Sequence, residues 1–227
     1  MFDSPREGKL MKIYDLSHTI KDGSKTYPGL PAPKICDFWT RKDSSGHYDQ
    51  GTSFQIGKIE MVSNTGTYLD APFHRYADGA DLSELPLSSL AGLDGLLIHA
   101  VNPLARSIDA SYFSHDVKGK AVFVRTDWSK HWGTDEYFVD HPFMTEDAAL
   151  FLRDAGAALV GIDSLNIDDT SGGSRPVHST LLRNGIPIIE HMTNLDKLPE
   201  NGFTIYALPP KIKGMGSFPV RVIACVD

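Results

Sequence analysis

An amphipathic helix set among short apolar runs decides the fold class of this chain. Residues 145–155 begin at Thr145, a residue type that caps helix N-termini, and carry Glu146 and Asp147 where the helix dipole is positive. They end at Gly156, the residue type that closes helices in a left-handed conformation. Leu150 and Phe151, with Asp147 and Asp154 opposite, predict a two-faced helix. An apolar run follows at 158–162, then a helical turn at 179–183 ending in Asn184-Gly185, then a second run at 186–190. Strand, helix, strand in this order predicts a mixed or parallel sheet with crossover helices, an α/β class. Further strands are expected at 12–16, 54–62, 95–101 and 121–126, with Gly57 as a bulge. Asp22-Gly23 marks a turn, the prolines at 28, 31 and 33 an extended loop, and polar residues 41–51 a mobile surface loop.

The 227 residues suit one α/β domain over 1–227, with 1–10 as a flexible N-terminal extension and Met11 as a candidate start. Asp3, Arg6, Glu7 and Lys9 leave that extension without the apolar stretch of a signal peptide or anchor. No apolar run approaches the roughly 18–20 residues of a membrane span, so a cytoplasmic protein is expected. A formal net charge of −7 disfavours nucleic acid and anionic membranes as partners. Cys36 and Cys225, with no CxxC, read as two reduced thiols rather than a disulfide or a thiolate zinc site.

Two clusters carry candidate chemistry. In Ser63-Asn64-Thr65-Gly66-Thr67-Tyr68-Leu69-Asp70-Ala71-Pro72-Phe73-His74, Gly66 permits a sharp turn and Pro72 keeps the chain out of helix. Asp70 and His74 are thereby expected on a rigid, irregular loop able to aim both into one cleft. A turn with Asp70 capping backbone amides fits the same residues. In the second cluster, Glu190 closes the run Ile186, Ile188, Ile189, and His178 stands twelve residues earlier. A carboxylate ending an apolar strand needs a cation or hydrogen bonds if buried; a solvated sheet edge is the alternative. In an extended strand His191 would face away from Glu190 and share no metal with it.

The sequence resembles the cyclase-like superfamily that includes kynurenine formamidase and isatin hydrolase. Its signature, His-x-Gly-Thr-His-x-Asp-x-Pro-x-His, aligns with Asn64-Thr65-Gly66-Thr67-Tyr68-Leu69-Asp70-Ala71-Pro72-Phe73-His74. Tyr14-Asp15-Leu16-Ser17-His18 and Tyr27-Pro28-Gly29 resemble the family's opening. Thr126-Asp127-Trp128, Val160-Gly161-Ile162-Asp163, His178 with Leu181-Leu182, Ile188-Ile189-Glu190 and Gly216-Ser217-Phe218-Pro219 resemble later blocks in order.

The resemblance implies a swivelling β/β/α-type domain, with a mixed sheet or barrel-like core and flanking helices. It implies a metal-dependent hydrolase of a small amide, a formamide like N-formylkynurenine (as in tryptophan catabolism) or a lactone. Asp70, His178 and Glu190 are the implied metal ligands, and His74 the catalytic acid or base. The cofactor would be a divalent metal, zinc or manganese, or magnesium. Asn64 and Tyr68 stand where the signature has two histidines. Asn offers only a weak carbonyl oxygen, suited to hard cations, and Tyr a neutral phenol. Three outcomes stay open: a metal on Asp70, His178 and Glu190; a manganese or magnesium site that Asn64 joins; or a lost metal, leaving metal-free chemistry by His74 with Tyr68, or a small-molecule binding protein. Tyr68, Phe73, Trp39 and Trp128 are candidate substrate contacts, with Phe38 and Trp132 as further pocket aromatics and Ser63 and Thr65 as hydrogen-bond donors. A homodimer or homotetramer is implied, with exchange near Trp39 and residues 41–51.

Overall fold

A computed structural model describes residues 11–226. The expected extension over 1–10 lies outside the described residues. In chain order the strands are β1 (Lys12–Asp15), β2 (Lys34–Trp39), β3 (Ile56–Glu60), β4 (Tyr68–Asp70), β5 (Ala91–His99), β6 (Ser107–Ile108), β7 (Ala121–Arg125), β8 (Phe143–Met144), β9 (Leu159–Ile162), β10 (Ile188–Glu190), β11 (Phe203–Ala207), β12 (Ser217–Pro219) and β13 (Val222–Val226). The α-helices are α1 (Arg41–Ser44), α2 (Glu146–Ala155) and α3 (Pro176–Arg183).

Nine strands form one mixed sheet in the order β1-β13-β11-β5-β7-β9-β10-β4-β12. The central β5, β7, β9 and β10 are mutually parallel, and the flanking pairings are antiparallel. The class is α/β, as the helix and apolar runs predict. Alternation along β7 shows why both faces are apolar. Ala121 and Phe123 enter one core with Leu69, Leu159 and Ile189. Val122 and Val124 enter a second with Val160, Ile162 and Ile188, roofed by α2 and α3.

Several elements differ from expectation. The buried face of α2 is Ala148, Ala149 and Leu152, while Leu150 and Phe151 are only partly buried. Gly156 does close the helix, at φ +80°. Thr145 is the N-cap residue, but its hydroxyl donates to Asp147 instead of accepting a backbone N–H. Helix α3 starts earlier than 179, because Pro176 suits the first helical position. The unexpected β2 pairs with β3 as a separate two-stranded ribbon, and the register shift falls between Asp37 and Trp39, not at Gly57. Part of the supposed loop over 41–51 is α1, started by a reciprocal Thr40–Asp43 capping box. Both cysteines are free. Among the described residues, no helix is long and apolar enough to cross a membrane.

Candidate metal and catalytic site

Strand register assembles the site. Tyr68 and Asp70 share one face of β4 because side chains alternate, and Leu69 points into the core behind. Across β10, Glu190 pairs with Tyr68; across β12, Ser217 pairs with Asp70. The expected loop at 68–70 is therefore a buried strand between two partners. Pro72 opens a 3-10 turn, Pro72–His74, which swings His74 back over the same face. Helix α3 lies over that face and brings His178 down onto it. A cavity of about 320 Å³ opens above, with Asp70, His74, His178, Glu190, Tyr68 and Asn64 among its walls. Tyr27, Leu30, Arg75, Asn166 and Arg175 complete the lining.

His178 is the hub. Its Nδ1 lies 2.6 Å from Asp168 Oδ2, and its Nε2 lies 3.6 Å from both Asp70 Oδ2 and Glu190 Oε1. Asp168 also accepts the backbone N–H groups of Val177 and His178, at 2.7 and 2.9 Å, so it fixes both the ring and the start of α3. Glu190 accepts the Tyr68 hydroxyl at 2.5 Å and the Ile167 N–H at 2.7 Å. Asp70 accepts the Ser217 hydroxyl, and Ser217 Oγ lies 2.9 Å from His74 Nδ1. A serine has one hydrogen to give, and here it goes to Asp70. The network therefore puts the His74 proton on Nδ1 and leaves Nε2 as the basic nitrogen.

Burial works against charge throughout this cluster. It would depress His178, but Glu190, Asp168 and Asp70 outweigh it and push the imidazole pKa up to about 10. Burial lifts Glu190 to about 7, with Asp70 adding to the rise and His178 opposing it. For Asp70 burial pushes upward, yet His178, His74 and the Ser217 hydroxyl together hold it below the usual carboxylate range. Burial, then Glu190 and Asp70, raise the Tyr68 phenol well above its ordinary value, so it remains a neutral donor.

The same features test whether a metal fits. Asp70 Oδ2 is buried without a hydrogen-bond partner among the described residues. The 3.6 Å separations from His178 Nε2 exceed hydrogen-bond length. They come close to the roughly 3.4 Å between two atoms bound at tetrahedral angles to one zinc ion. Ligand atoms of Asp70, His74 and His178 all lie within 4.8 Å of one another. Carboxylates around a buried imidazole favour positive charge there, which the imidazolium supplies and which a divalent ion displacing the Nε2 proton would equally supply. The residues fit a metal.

Of the residues singled out from sequence, Asp70, His74, His178, Glu190, Asn64 and Tyr68 meet at this cavity. Phe73, Trp39 and Trp128 do not line it. Trp39 belongs to the outlying ribbon and stacks on His47; Trp128 donates from Nε1 to the Tyr137 carbonyl and lines a separate groove. Phe73, in the middle of the 3-10 turn, is half-exposed and outside the cavity lining. Phe38 is exposed on the ribbon, and Trp132 stacks on His18. Ser63 and Thr65 donate to Asn64 Oδ1 and the Val62 carbonyl, so neither hydroxyl is free for substrate. His191 is not extended; at φ +55° its ring turns to the Tyr137 hydroxyl, away from the cavity. Sequence reasoning missed Asp168, Asn166, Arg75 and Arg175, and passed over Tyr27 and Ser217 except as parts of family blocks.

The cyclase family model matches residues 14–169. The chain belongs to the cyclase family. Among its relatives in that family, kynurenine formamidase of Bacillus cereus is 26% identical over 216 residues, covering 95% of this chain and 98% of that one. Kynurenine formamidase of Salinibacter ruber is 28% identical over 214 residues, covering 94% and 97%. The cyclase-family fold also superposes on isatin hydrolase A of Labrenzia aggregata, with a TM-score of 0.81, 23% identity and coverage of 95% and 94%.

Proposed function

We propose that this cyclase-family chain is a metal-dependent hydrolase acting on the C–N bond of a small amide or formamide, or on a lactone. The carrying observation is His178, locked at Nδ1 by Asp168 and presenting Nε2 to Asp70 and Glu190 across gaps of 3.6 Å. Asp70, His178 and Glu190 would hold the ion, and Asn64 adds at most a weak oxygen, since Ser63 already donates to its Oδ1 at 3.0 Å. Bound there, zinc or manganese supplies Lewis acidity, lowering the pKa of water and polarising a carbonyl.

The chain's own residues supply the rest. Tyr68 and Ile167 orient Glu190, and Asp168 orients His178. Ser217 holds the proton of His74 at Nδ1, so Nε2 is free to take a proton from attacking water and deliver it to the leaving nitrogen or oxygen. Relatives named kynurenine formamidase point to an aryl formamide as the first substrate to try.

The test is divalent-metal content by elemental mass spectrometry, on protein purified without a metal column. About one ion per chain is expected in wild type, with loss in Glu190→Ala and retention in His74→Ala, and turnover abolished in both. Loss of metal in His74→Ala would make His74 a ligand instead. No ion after incubation with zinc, manganese or magnesium would reject the hydrolase reading in favour of a metal-free binding protein, the reading that Asn64 and Tyr68 favour. We also propose that a second copy covers the β2–β3 ribbon, where Ile35, Phe38, Ile56 and Ile59 stand in solvent. Light scattering on a sizing column tests this, with a monomer rejecting it.

A further inference from the structure

We propose that Arg175 is a carboxylate-binding residue of the cleft, so that the molecule taken up carries a carboxylate beside its reacting bond; this rests on the hydrolase reading above for which bond reacts. Arg175 immediately precedes α3 and lines the same cavity as Asp70 and His178. One end of its guanidinium is tied down: Nη1 donates to the carbonyls of Asp169, Gly172 and Ser174 at 2.9, 2.8 and 2.7 Å. Apart from the Tyr27 hydroxyl, which lies against the guanidinium, no described side chain partners its remaining nitrogens. No described carboxylate stands within ion-pair distance of it, whereas Arg106, Arg125, Arg153, Arg183 and Arg221 all have acidic partners.

A half-buried arginine with its position fixed by backbone carbonyls and no acidic partner among the described residues is a preorganised fork. Its Nε and Nη2 hydrogens match the two oxygens of a planar carboxylate. The Tyr27 phenol sits against this guanidinium, and burial keeps it a protonated donor that can share the same anion. Arg75 also lines the cleft but is exposed, so it adds positive field without a fixed geometry. The anion is a monoanion by charge balance. Asp70 and Glu190 already line the floor, with Asp168 behind His178, and a phosphate's second charge would be repelled more strongly in a cavity of about 320 Å³.

Binding, which needs no turnover, separates this inference from the hydrolase reading. Calorimetry with 2-aminobenzoate and its neutral isostere 2-aminobenzamide would be run on wild type, Arg175→Gln and Arg175→Lys. Wild type is expected to prefer the carboxylate by about tenfold or more, as a charge-assisted bidentate contact implies. Arg175→Gln should lose that preference with the amide's Kd unchanged, the control for an intact loop. Arg175→Lys, which keeps the charge and loses the fork, should fall between. Raising salt from about 50 to about 500 mM should weaken carboxylate binding to wild type and spare the amide, a readout that needs no variant. Equal binding of the two ligands by wild type, no binding of either, or a preference that survives in Arg175→Gln (a carboxylate held elsewhere, as by a metal) would overturn the proposal. Absence of amidase activity alongside the expected binding pattern would reject only the hydrolase reading.

Discussion

At the scale of single residues, the site depends on a carboxylate that never reaches the cavity wall. Asp168 accepts from His178 Nδ1 and from two backbone amides, so it sets the tautomer, the ring angle and the first turn of α3 together. Partners of this kind make a ligand imidazole more basic, and their loss typically weakens metal binding by about 10- to 100-fold. Asp168→Asn keeps one acceptor oxygen and is expected to lower metal affinity by that factor while the protein stays folded. Chelator competition measures it, and unchanged affinity would show that Asp70 and Glu190 alone position the ion. Asp70 and His74 were legible in the sequence because they match the family signature, and His178 and Glu190 because a carboxylate closing an apolar run falls in a later block that resembles the family. Asp168 was not, because an acid ten residues before a histidine has no distinguishing pattern until a helix turn folds it back. The candidate aromatics misled for a related reason. Residue type suggests a pocket, but position relative to β4 and α3 decides it, and Trp39 and Trp128 lie on other elements.

At the scale of elements, the site requires two segments to touch backbone to backbone. A Cβ on Gly216 would lie 2.5 Å from both Cα and N of His74, with no flexible side chain to yield. Gly216→Ala therefore has to push the 3-10 turn Pro72–His74 away from β12 and break the Ser217 bridge between Asp70 and His74. A loss of about 1–3 kcal/mol by urea unfolding is expected, as for overpacking in a core, together with a large fall in turnover. Gly156→Ala provides the contrast. It faces open space apart from Lys118 Cγ at 3.6 Å, but must adopt φ +80° at the end of α2. It should cost about 1 kcal/mol, the penalty of a side chain in a left-handed cap, and leave turnover unchanged. Equal activity in both variants would mean that the 3-10 turn is not what positions His74. Strands β5, β7, β9 and β10 were readable because each is a short apolar run buried on both faces, and helix α2 because Thr145 and Gly156 mark its ends, although its buried face is not the one expected. Strand β4 was hidden, since Tyr68-Leu69-Asp70 alternates polar with apolar for a buried polar face that only its partners β10 and β12 explain. Strand β2 was hidden as well, because nothing in its exposed sequence pays for burial.

At the scale of the whole molecule, the N-terminal segment fastens the sheet's edge to its centre. Leu16 N–H donates to the Val222 carbonyl, Ser17 bridges to Met192, and His18 N–H donates to Thr67 Oγ1. His18 then stacks on Trp132 with ring centroids 4.0 Å apart and its Nε2 buried without a partner among the described residues. Burial lowers its pKa from 6.5 to about 4, because no group nearby replaces the water an imidazolium would need. The sign of the linkage follows. Between about pH 6.5 and 4 the unfolded chain takes up a proton here that the folded chain refuses, so stability is lost as pH falls through that window. Other buried groups titrate in the same range, including Asp163, raised to about 6 by burial against its three hydrogen bonds, so the wild-type curve alone does not isolate His18. The comparison with His18→Phe does, since phenylalanine keeps the stack on Trp132 and has no proton to accept. On lowering the pH from 7 to 5, wild type should lose about 1–2 kcal/mol more than the variant in urea unfolding, after discounting for partial exposure. Parallel losses would mean that His18 is protonated in the folded state at pH 5, with the N-terminal segment lifted far enough from Trp132 to admit water.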